Sequence, residues 1–501
     1  MIGSSPKTCQ HAAVRTFLIA VVLFVSYAYF YQGGGWNQNS RFDLVRSLIE
    51  QGTLRIDSYH ENTGDKALYQ GHYYSDKAPG LALLALPFVA TLRPVLRAAG
   101  VSPDSPRGIV ALSYIATVIG VSLPTAAAGA FLFLLGLRLG SSVSASAFGA
   151  LAMGLATPVW AWATLFWGHA LAGACFVFAL ATAMRLRETP DPARDRFWGF
   201  IVGLTAGWAT VSEYPAAPAS AIVVILALVL VWPNGRERRW RVAGSVSAGA
   251  LICVVVLIVY QRAAFGSFLH LSYSYYEAGA FPWMTHGFMG LTYPKPDVML
   301  KLLFGCRRGL LFYGPILAAA PFGLRLLWKN SQIRPIARAC AAIATYYFLF
   351  NASFHAWHGA WSYGPRYLAA GVPLLATGIA PLWSRAGSYL RGVLVVLALC
   401  GLGLSLMGVS TTAQPPNEFR CPAFQLFWPS FSQGRLSINQ DSVLAPAEKE
   451  SGETHGAFNL GELAGLHGLP SLIPLLVFWS LAFLAWLNIG RSREAGAREC
   501  R

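Results

Sequence analysis

Apolar residues run in long blocks along this chain, and charges, prolines and glycines gather in the gaps between them. A bilayer-crossing helix needs about 20 mostly apolar residues, because every backbone N–H and C=O must be paired internally within hydrocarbon. Twelve blocks qualify: roughly 16–32, 108–136, 143–164, 168–184, 197–212, 215–232, 243–260, 309–327, 336–354, 368–384, 391–409 and 470–488. The apolar stretch 79–96 is shorter and closed by Arg93 and Arg97, which predicts an interfacial helix. Block 16–32 follows Lys7 and Arg15 and lacks a small-residue cleavage site, so it reads as a true span and not a signal peptide.

Composition sharpens this picture. Of 501 residues, 55% are apolar and 12% charged, against about 25% charged in ordinary soluble domains. A soluble globular, disordered or collagen-like chain is excluded. The expected fold class is an all-α integral membrane protein, a bundle of about twelve transmembrane helices with interfacial helices in a long first outer loop. The expected organisation is a cytoplasmic N-terminus and first span (1–32), the first outer loop (33–107), and a transmembrane bundle (108–409) with a further outer loop at 261–308. An outer loop or small domain (410–469) and a last span with a basic tail (470–501) complete it.

The net charge of +16 would suggest nucleic acid in a soluble protein. With both termini inside, however, the cytoplasmic pieces hold 21 cations and 6 acids, and the outer pieces 17 cations and 16 acids. The excess is thus +15 inside and +1 outside, which is the positive-inside pattern and removes nucleic acid as a partner. The lipid bilayer takes its place. The chain has eight cysteines and no C-x-x-C pair, so no zinc site or disulfide framework is expected. Only Cys306 and Cys421 fall in outer loops, where an oxidising compartment would allow a bridge; unpaired thiols are the expected state.

Polar chemistry collects on the outer side. The inner connections are short and basic, and no phosphate-binding Gly-rich motif occurs, which disfavours ATP-driven transport and soluble nucleotide-sugar chemistry. In the first outer loop, Phe42, Leu44, Val45, Leu48 and Ile49 fall at helical spacing, predicting an amphipathic helix over 39–50 on the outer leaflet, with Arg46 and Glu50 on a solvated face. The segment Tyr73-Tyr-Ser-Asp76-Lys77-Ala-Pro79 returns the chain to the interface, where Lys77 is a compact cation suited to a phosphate at headgroup depth. His169, Glu213, His358, Tyr363 and Tyr367 stand at other outer ends of spans, where ionisable groups are costly and therefore candidates for function. His355 and His358 have no acidic partner in their loop, so no metal site is expected there, and the need for a divalent metal stays open.

With these residues in view, the sequence resembles the GT-C superfamily of polytopic glycosyltransferases. It is most similar to the bacterial lipid-carrier-dependent group of protein mannosyltransferases, aminoarabinose transferase and Rgt-type enzymes. Residues 38–50 correspond to that family's Asp-Glu-x-Arg-Tyr helix, Tyr73–Pro79 to its Tyr-x-x-Lys-Pro-Pro segment, and Trp361–Leu368 to a later outer-loop motif. The resemblance implies inverting transfer of a sugar from a polyprenyl-phosphate donor to a glycan, lipid or protein acceptor of the cell envelope. It implies a multi-pass protein of the bacterial inner membrane, an outer-face acid as general base, cations on the leaving phosphate, and no organic cofactor. Gln38 and Asn39 occupy the family's acidic positions and cannot act as bases, and Ala78 stands where the motif has Pro. The base is then expected at Asp43, next at Asp76, with Asp57 and Asp65 also within the loop; Lys77, Arg366 and Arg41 are expected to hold the donor phosphate. Two other readings compete. A transporter or flippase of lipid-linked saccharide would want midplane charges and inverted repeats, which are not evident here, and a non-catalytic GT-C-like subunit would explain Gln38 and Asn39.

Overall fold

The computed structural model describes residues 6–187, 190–268, 270–276, 280–438 and 456–498. Helices dominate it, as α1 (Pro6–Ala28), α2 (Trp36–Glu50), α3 (Gly80–Ala98), α4 (Pro106–Thr117), α5 (Leu123–Arg138), α6 (Val143–Leu155), α7 (Val159–Trp162), α8 (Gly168–Ala183) and α9 (Pro192–Ser212). The chain continues through α10 (Ala217–Val231), α11 (Arg236–Phe265), α12 (Pro296–Phe304), α13 (Leu310–Tyr313), α14 (Ala320–Lys329), α15 (Arg334–Ser353), α16 (Val372–Ala376), α17 (Ile379–Arg385) and α18 (Ser388–Thr411). The last helix is Ile473–Arg498. Among the described residues, eight helices are long and apolar enough to cross a membrane, and the chain is a multi-pass membrane protein.

Seven of those eight coincide with expected spans, and helices α9 and α15 are unbroken where two more were expected. The remaining three expected spans are interrupted. Block 143–164 breaks at Thr157-Pro158, block 309–327 at Gly314-Pro315, and block 368–384 between α16 and α17 at Gly378. In each, a residue that lacks a helical N–H or relaxes the backbone ends the ladder.

The eighth apolar helix is α3, at 79–96 of the sequence reading. Just before it, Ala78 accepts from Arg41 at 3.0 Å, and Arg93 in its C-terminal half reaches Glu50 and Asp104 at 2.8 and 2.7 Å. Both ends therefore contact the same loop region 33–105. The helix α4 continues through a π-turn (Val118–Ser122) into α5, 33 residues from Pro106 to Arg138. That is about 50 Å of helix at ~1.5 Å per residue, longer than a ~30 Å hydrocarbon core, and α3 packs along the half nearer Pro106. Leu81 of α3 lies over Gly120 in the π-turn.

The end of the bundle that carries the loops, the loop face, is tied together by two small antiparallel ribbons. Strand β1 (Phe30–Gln32), following α1, pairs with Ala457–Asn459. Strands β2 (Lys66–Tyr69) and β3 (His72–Ser75) form a hairpin whose turn residues Gln70 and Gly71 both have positive φ, the geometry that matches strand twist in a two-residue turn. Helix α2 departs from expectation: Asn37, Gln38, Asn39, Ser40, Arg41 and Asp43 are all buried, so it is packed within the loop face and does not float on a leaflet. Arg46 and Glu50 do pair, at 3.2 Å, but are mostly buried, Glu50 also receiving Arg93 and the Tyr59 hydroxyl.

Cys306 and Cys421 correct another expectation: they are bridged, with Cα atoms 5.0 Å apart. The part of 410–469 at 439–455 lies outside the described residues.

Away from the loops, α9 and α11 pack backbone to backbone. Gly199, Gly203 and Gly207 recur every four residues on α9 and face Val242, Val246 and Cys253 of α11, and a Cβ at Gly203 would run into the Val246 carbonyl. Small residues at this spacing allow close helix approach in lipid. At one end of this pair Arg238 grips Asp195 at 2.9–3.1 Å and donates to the Leu186 carbonyl. Gly203→Leu is expected to destabilise the protein by about 2–3 kcal/mol, read as a fall in melting temperature of the detergent-solubilised chain; Gly244→Leu, whose Cβ meets no neighbour, should change it little.

Candidate functional site

Hairpin register builds the first half of the site. Lys66 pairs with Ser75, so the next residues outward, Asp65 and Asp76, stand opposite each other. Two facing carboxylates repel, and the chain places Lys77 between them: Nζ lies 2.9 Å from Asp65 and 2.8 Å from Asp76. Asp76 is fully buried and also accepts from the Tyr276 hydroxyl at 2.6 Å and the Ser40 hydroxyl at 3.3 Å. Burial works against the Lys77 charge, but Asp65 and Asp76 outweigh it and hold the ammonium above its ordinary value. Asp65 is the more open carboxylate, with 13% of its side chain exposed against none for Asp76.

A second ion cluster adjoins it. Arg41, 1% exposed, donates to Asn37 Oδ1, to the carbonyls of Ala78 and Ser212, and to Glu213 Oε1 at 2.6 Å. Glu213 also faces His169 Nδ1 at 3.3 Å. Arg41, expected to hold a donor phosphate, instead ties α2 to the residues just before α3 and to the end of α9, with four of its five N–H groups engaged inside the protein.

Arg366 faces both clusters. Its guanidinium lies 5.0 Å over the Trp167 ring and 5.2 Å over Tyr367, and the charges of Asp65 and Glu213 reach it. Its Nε–H is buried without a partner among the described residues. Tyr367 contacts His169 edge-on at 5.7 Å, and successive ring contacts of 4.7–5.5 Å run from Tyr276 through Phe281, Trp283 and Phe354 to Tyr367. The ion clusters are thus bordered by an aromatic arc.

The structure gathers Asp76, Lys77, Arg366, Arg41, Glu213, His169 and Tyr367, and sets three other candidates aside. Tyr363 is core, its ring packed on Tyr313 and Phe427 and its carbonyl accepting from Trp162. His358 accepts the Ala360 N–H on Nδ1, and burial, then Arg307, Arg308 and Arg366, push its pKa down to about 4, so it is neutral at physiological pH. Asp43, the first choice for the base, is fully buried and accepts from Asn62 Nδ2 at 3.3 Å. It helps seat residues 62–65: Asn39 donates to the Asn62 carbonyl, Thr63 to that of Trp36, and the Asp65 N–H to Thr63. Asp57 pairs with His72 on the exposed side of the hairpin.

Gln38 and Asn39 have a physical role of their own. Gln38 Nε2 donates to the carbonyls of Gln32 and Gly34, and its Oε1 accepts the Phe166 N–H at 2.7 Å. A carboxylate cannot donate to those carbonyls. Sequence reasoning gave Tyr276 no weight, because a tyrosine in an aromatic-rich loop carries no pattern. A signal for Asp65 was present in the repeated Asp-Lys pairs 65–66 and 76–77 flanking one hairpin.

No protein-family model matches the sequence, and no curated protein matches it. Among solved structures the chain is similar to ArnT from Cupriavidus metallidurans bound to undecaprenyl phosphate, at 15% identity and a TM-score of 0.49 over 77% of this chain. It is also similar to the archaeal oligosaccharyltransferase AglB from Archaeoglobus fulgidus in complex with an inhibitory peptide and a dolichol-phosphate, at 13% identity and a TM-score of 0.47 over 83% of this chain. The chain spans 62% of the length of the former and 57% of the latter.

Burial pushes the Asp43 pKa up to about 8, with the Asn62 contact and Arg46 opposing. The folded state thus keeps a proton that the unfolded chain releases near its ordinary value of 3.8, and stability falls as pH rises through that window. Asp43→Asn keeps the Asn62 contact and removes the ionisation. Its melting temperature is expected to exceed that of the wild type at pH 8 and to converge with it near pH 4, measured across a pH series in detergent.

Proposed function

We propose that this protein is a glycosyltransferase that moves a sugar from a polyprenyl-phosphate donor to a glycan, lipid or protein of the cell envelope. The observation that carries the reading is the pairing of an acid-rich centre with an acid-poor cation at one end of a membrane bundle: Asp65, Lys77 and Asp76 on one side, Arg366 on the other. In the bacterial inner membrane, with both termini cytoplasmic, this end is the outer face, and the charge asymmetry of the loops supports that orientation.

Asp65 takes the acceptor hydroxyl proton, being the carboxylate with an open side. The acceptor oxygen then bonds to the anomeric carbon as the bond from that carbon to the phosphate oxygen breaks, and the phosphate leaves with the electron pair. Arg366, with a free Nε–H, stabilises the developing phosphate charge. Asp76 is spent on Lys77, Tyr276 and Ser40 and acts by holding Lys77 in place. The Lys77 ammonium fills the space between the two carboxylates that a divalent ion would need, so this reading gives a metal no part.

The non-catalytic reading loses its motive, because the amides at positions 38 and 39 serve as fasteners and the carboxylates lie in the hairpin. A flippase would change the leaflet of the donor without cleaving it.

In proteoliposomes supplied with an undecaprenyl-phosphate-linked sugar, Asp65→Asn is expected to lower transfer by about 100-fold or more, the range for loss of a general base. Arg366→Gln should lower it by a similar factor, and Asp43→Asn should stay within about threefold of wild type. Release of sugar from its lipid, against mere change of leaflet, is the readout, and full activity of Asp65→Asn would sink the assignment.

A further inference from the structure

The end of the bundle opposite the loop face holds a cleft of its own. Helix α9 runs from that end at Pro192 to the loop face at Ser212, and α8 arrives there at Ala183. Between the two lies a cavity of about 470 Å³, lined by Arg185, Ala193, Arg194, Phe197 and Trp198. That is the size of a small-ligand site, commonly ~300–1,000 Å³.

Charge sorts what the cavity can take. Among the described residues its lining has two arginines and no carboxylate. The acids beside it on α9 are engaged elsewhere. Asp195 is buried and accepts from Arg238 at 2.9–3.1 Å and from Arg241 at 3.4 Å. Asp191 caps α9, its Oδ1 accepting the Ala193 and Arg194 N–H groups. Its Oδ2 stands 3.7 Å from Arg194 Nε, with 69% of the Arg194 side chain exposed. An ion pair that open contributes little and leaves the Arg194 guanidinium available to an anion.

The remaining walls are apolar. Arg185 lies 5.7 Å over the Trp198 ring, and Phe197, 55% exposed, meets Trp198 edge-on at 4.7 Å. Trp232, just past α10, and Trp240, in the first turns of α11, are exposed at the same end. Tryptophans gathered at one end of a spanning bundle mark headgroup depth. Arg194 stands one turn nearer the helix end than Phe197 and Trp198, so the charge lies on the water side of the aromatic surface. A ligand that fills the cleft therefore carries an anion at its outer end and an apolar body below it. A free phosphate lacks the body, and a zwitterionic lipid would bring an ammonium of its own toward two arginines.

We propose that this cleft binds an anionic phospholipid of the adjoining leaflet, one with a single net negative charge such as phosphatidylglycerol. Its phosphate meets Arg185 and Arg194, and its acyl chains descend past Phe197 and Trp198. The general attraction of a basic protein end for anionic membrane acts on every exposed cation alike. This site differs in depending on two particular arginines.

The test uses the full chain, delipidated in detergent, with native mass spectrometry counting bound lipid during titration with phosphatidylglycerol or phosphatidylcholine. Phosphatidylglycerol is expected to fill one site at least about tenfold more tightly than phosphatidylcholine, and inorganic phosphate at equal concentration should not displace it. Arg194→Gln should cut that preference to about threefold or less, and Arg194→Lys should restore part of it. Arg236→Gln removes the same charge from an exposed position at the same end but outside the cleft, and should leave the preference within about twofold. Melting temperatures establish that the variants fold, which the exposure of both side chains favours. Equal binding of the two lipids by the wild type would overturn the proposal. Equal losses in Arg194→Gln and Arg236→Gln would show diffuse attraction and overturn the cleft as a site, and displacement by inorganic phosphate would overturn a lipid ligand.

Discussion

Lys77 between Asp65 and Asp76 is the constraint on which the loop face depends. The hairpin Lys66–Ser75 closes through a Gln-Gly turn, and its register delivers two carboxylates to the same place. Left alone they would repel; with one ammonium 2.8–2.9 Å from each, they become a cross-brace. The brace fixes the point where the chain turns into α3, and so the position of Ala78, onto whose carbonyl Arg41 locks helix α2. Arg41 in turn reaches Glu213 and, through it, the end of α9 and His169. Lys77 thus anchors the brace from which this chain of polar contacts extends into the apolar bundle.

The bundle supplies what the polar chain cannot: a rigid, dry support. Close α9–α11 packing at Gly203 and the long α4–α5 helix hold the ends at which Glu213 and α3 are presented. On this support the two signs of charge are segregated. Acids are concentrated around the hairpin, and Arg366, in no ion pair with a carboxylate among the described residues, stands beside Gly359, with an aromatic arc from Tyr276 to Tyr367 alongside. A reaction that removes a proton at one point and releases an anionic group at another needs that separation.

The sequence made much of this legible. Long apolar blocks located the helices because hydrocarbon leaves a backbone few choices, and the closing arginines of 79–96 marked α3 as distinct. Broken spans were less visible: Pro158, Pro315 and Gly378 lie in apolar surroundings where composition alone reads as continuous. In the proposed site, Lys77, Asp76 and Arg366 are recognisable from residue type and position, whereas Asp43, the first expectation for the base, lies buried against Asn62. Its helical spacing suggested an accessible acid, but α2 is packed on its polar side, a tertiary effect that no wheel reveals. Asp65 needed the hairpin register, in which Lys66 pairs with Ser75 and the flanking carboxylates face each other.

The brace itself can be measured by a thermodynamic cycle on thermal stability in detergent. Replacing Lys77 with Met should strand two facing carboxylates and destabilise the fold by about 3–5 kcal/mol, the usual cost of breaking a buried pair. In the background Asp65→Asn with Asp76→Asn, the same Lys77→Met change should cost far less, since no carboxylates remain to be neutralised. Equal losses in the two backgrounds would show that Lys77 does not serve to reconcile Asp65 with Asp76, and would contradict the account.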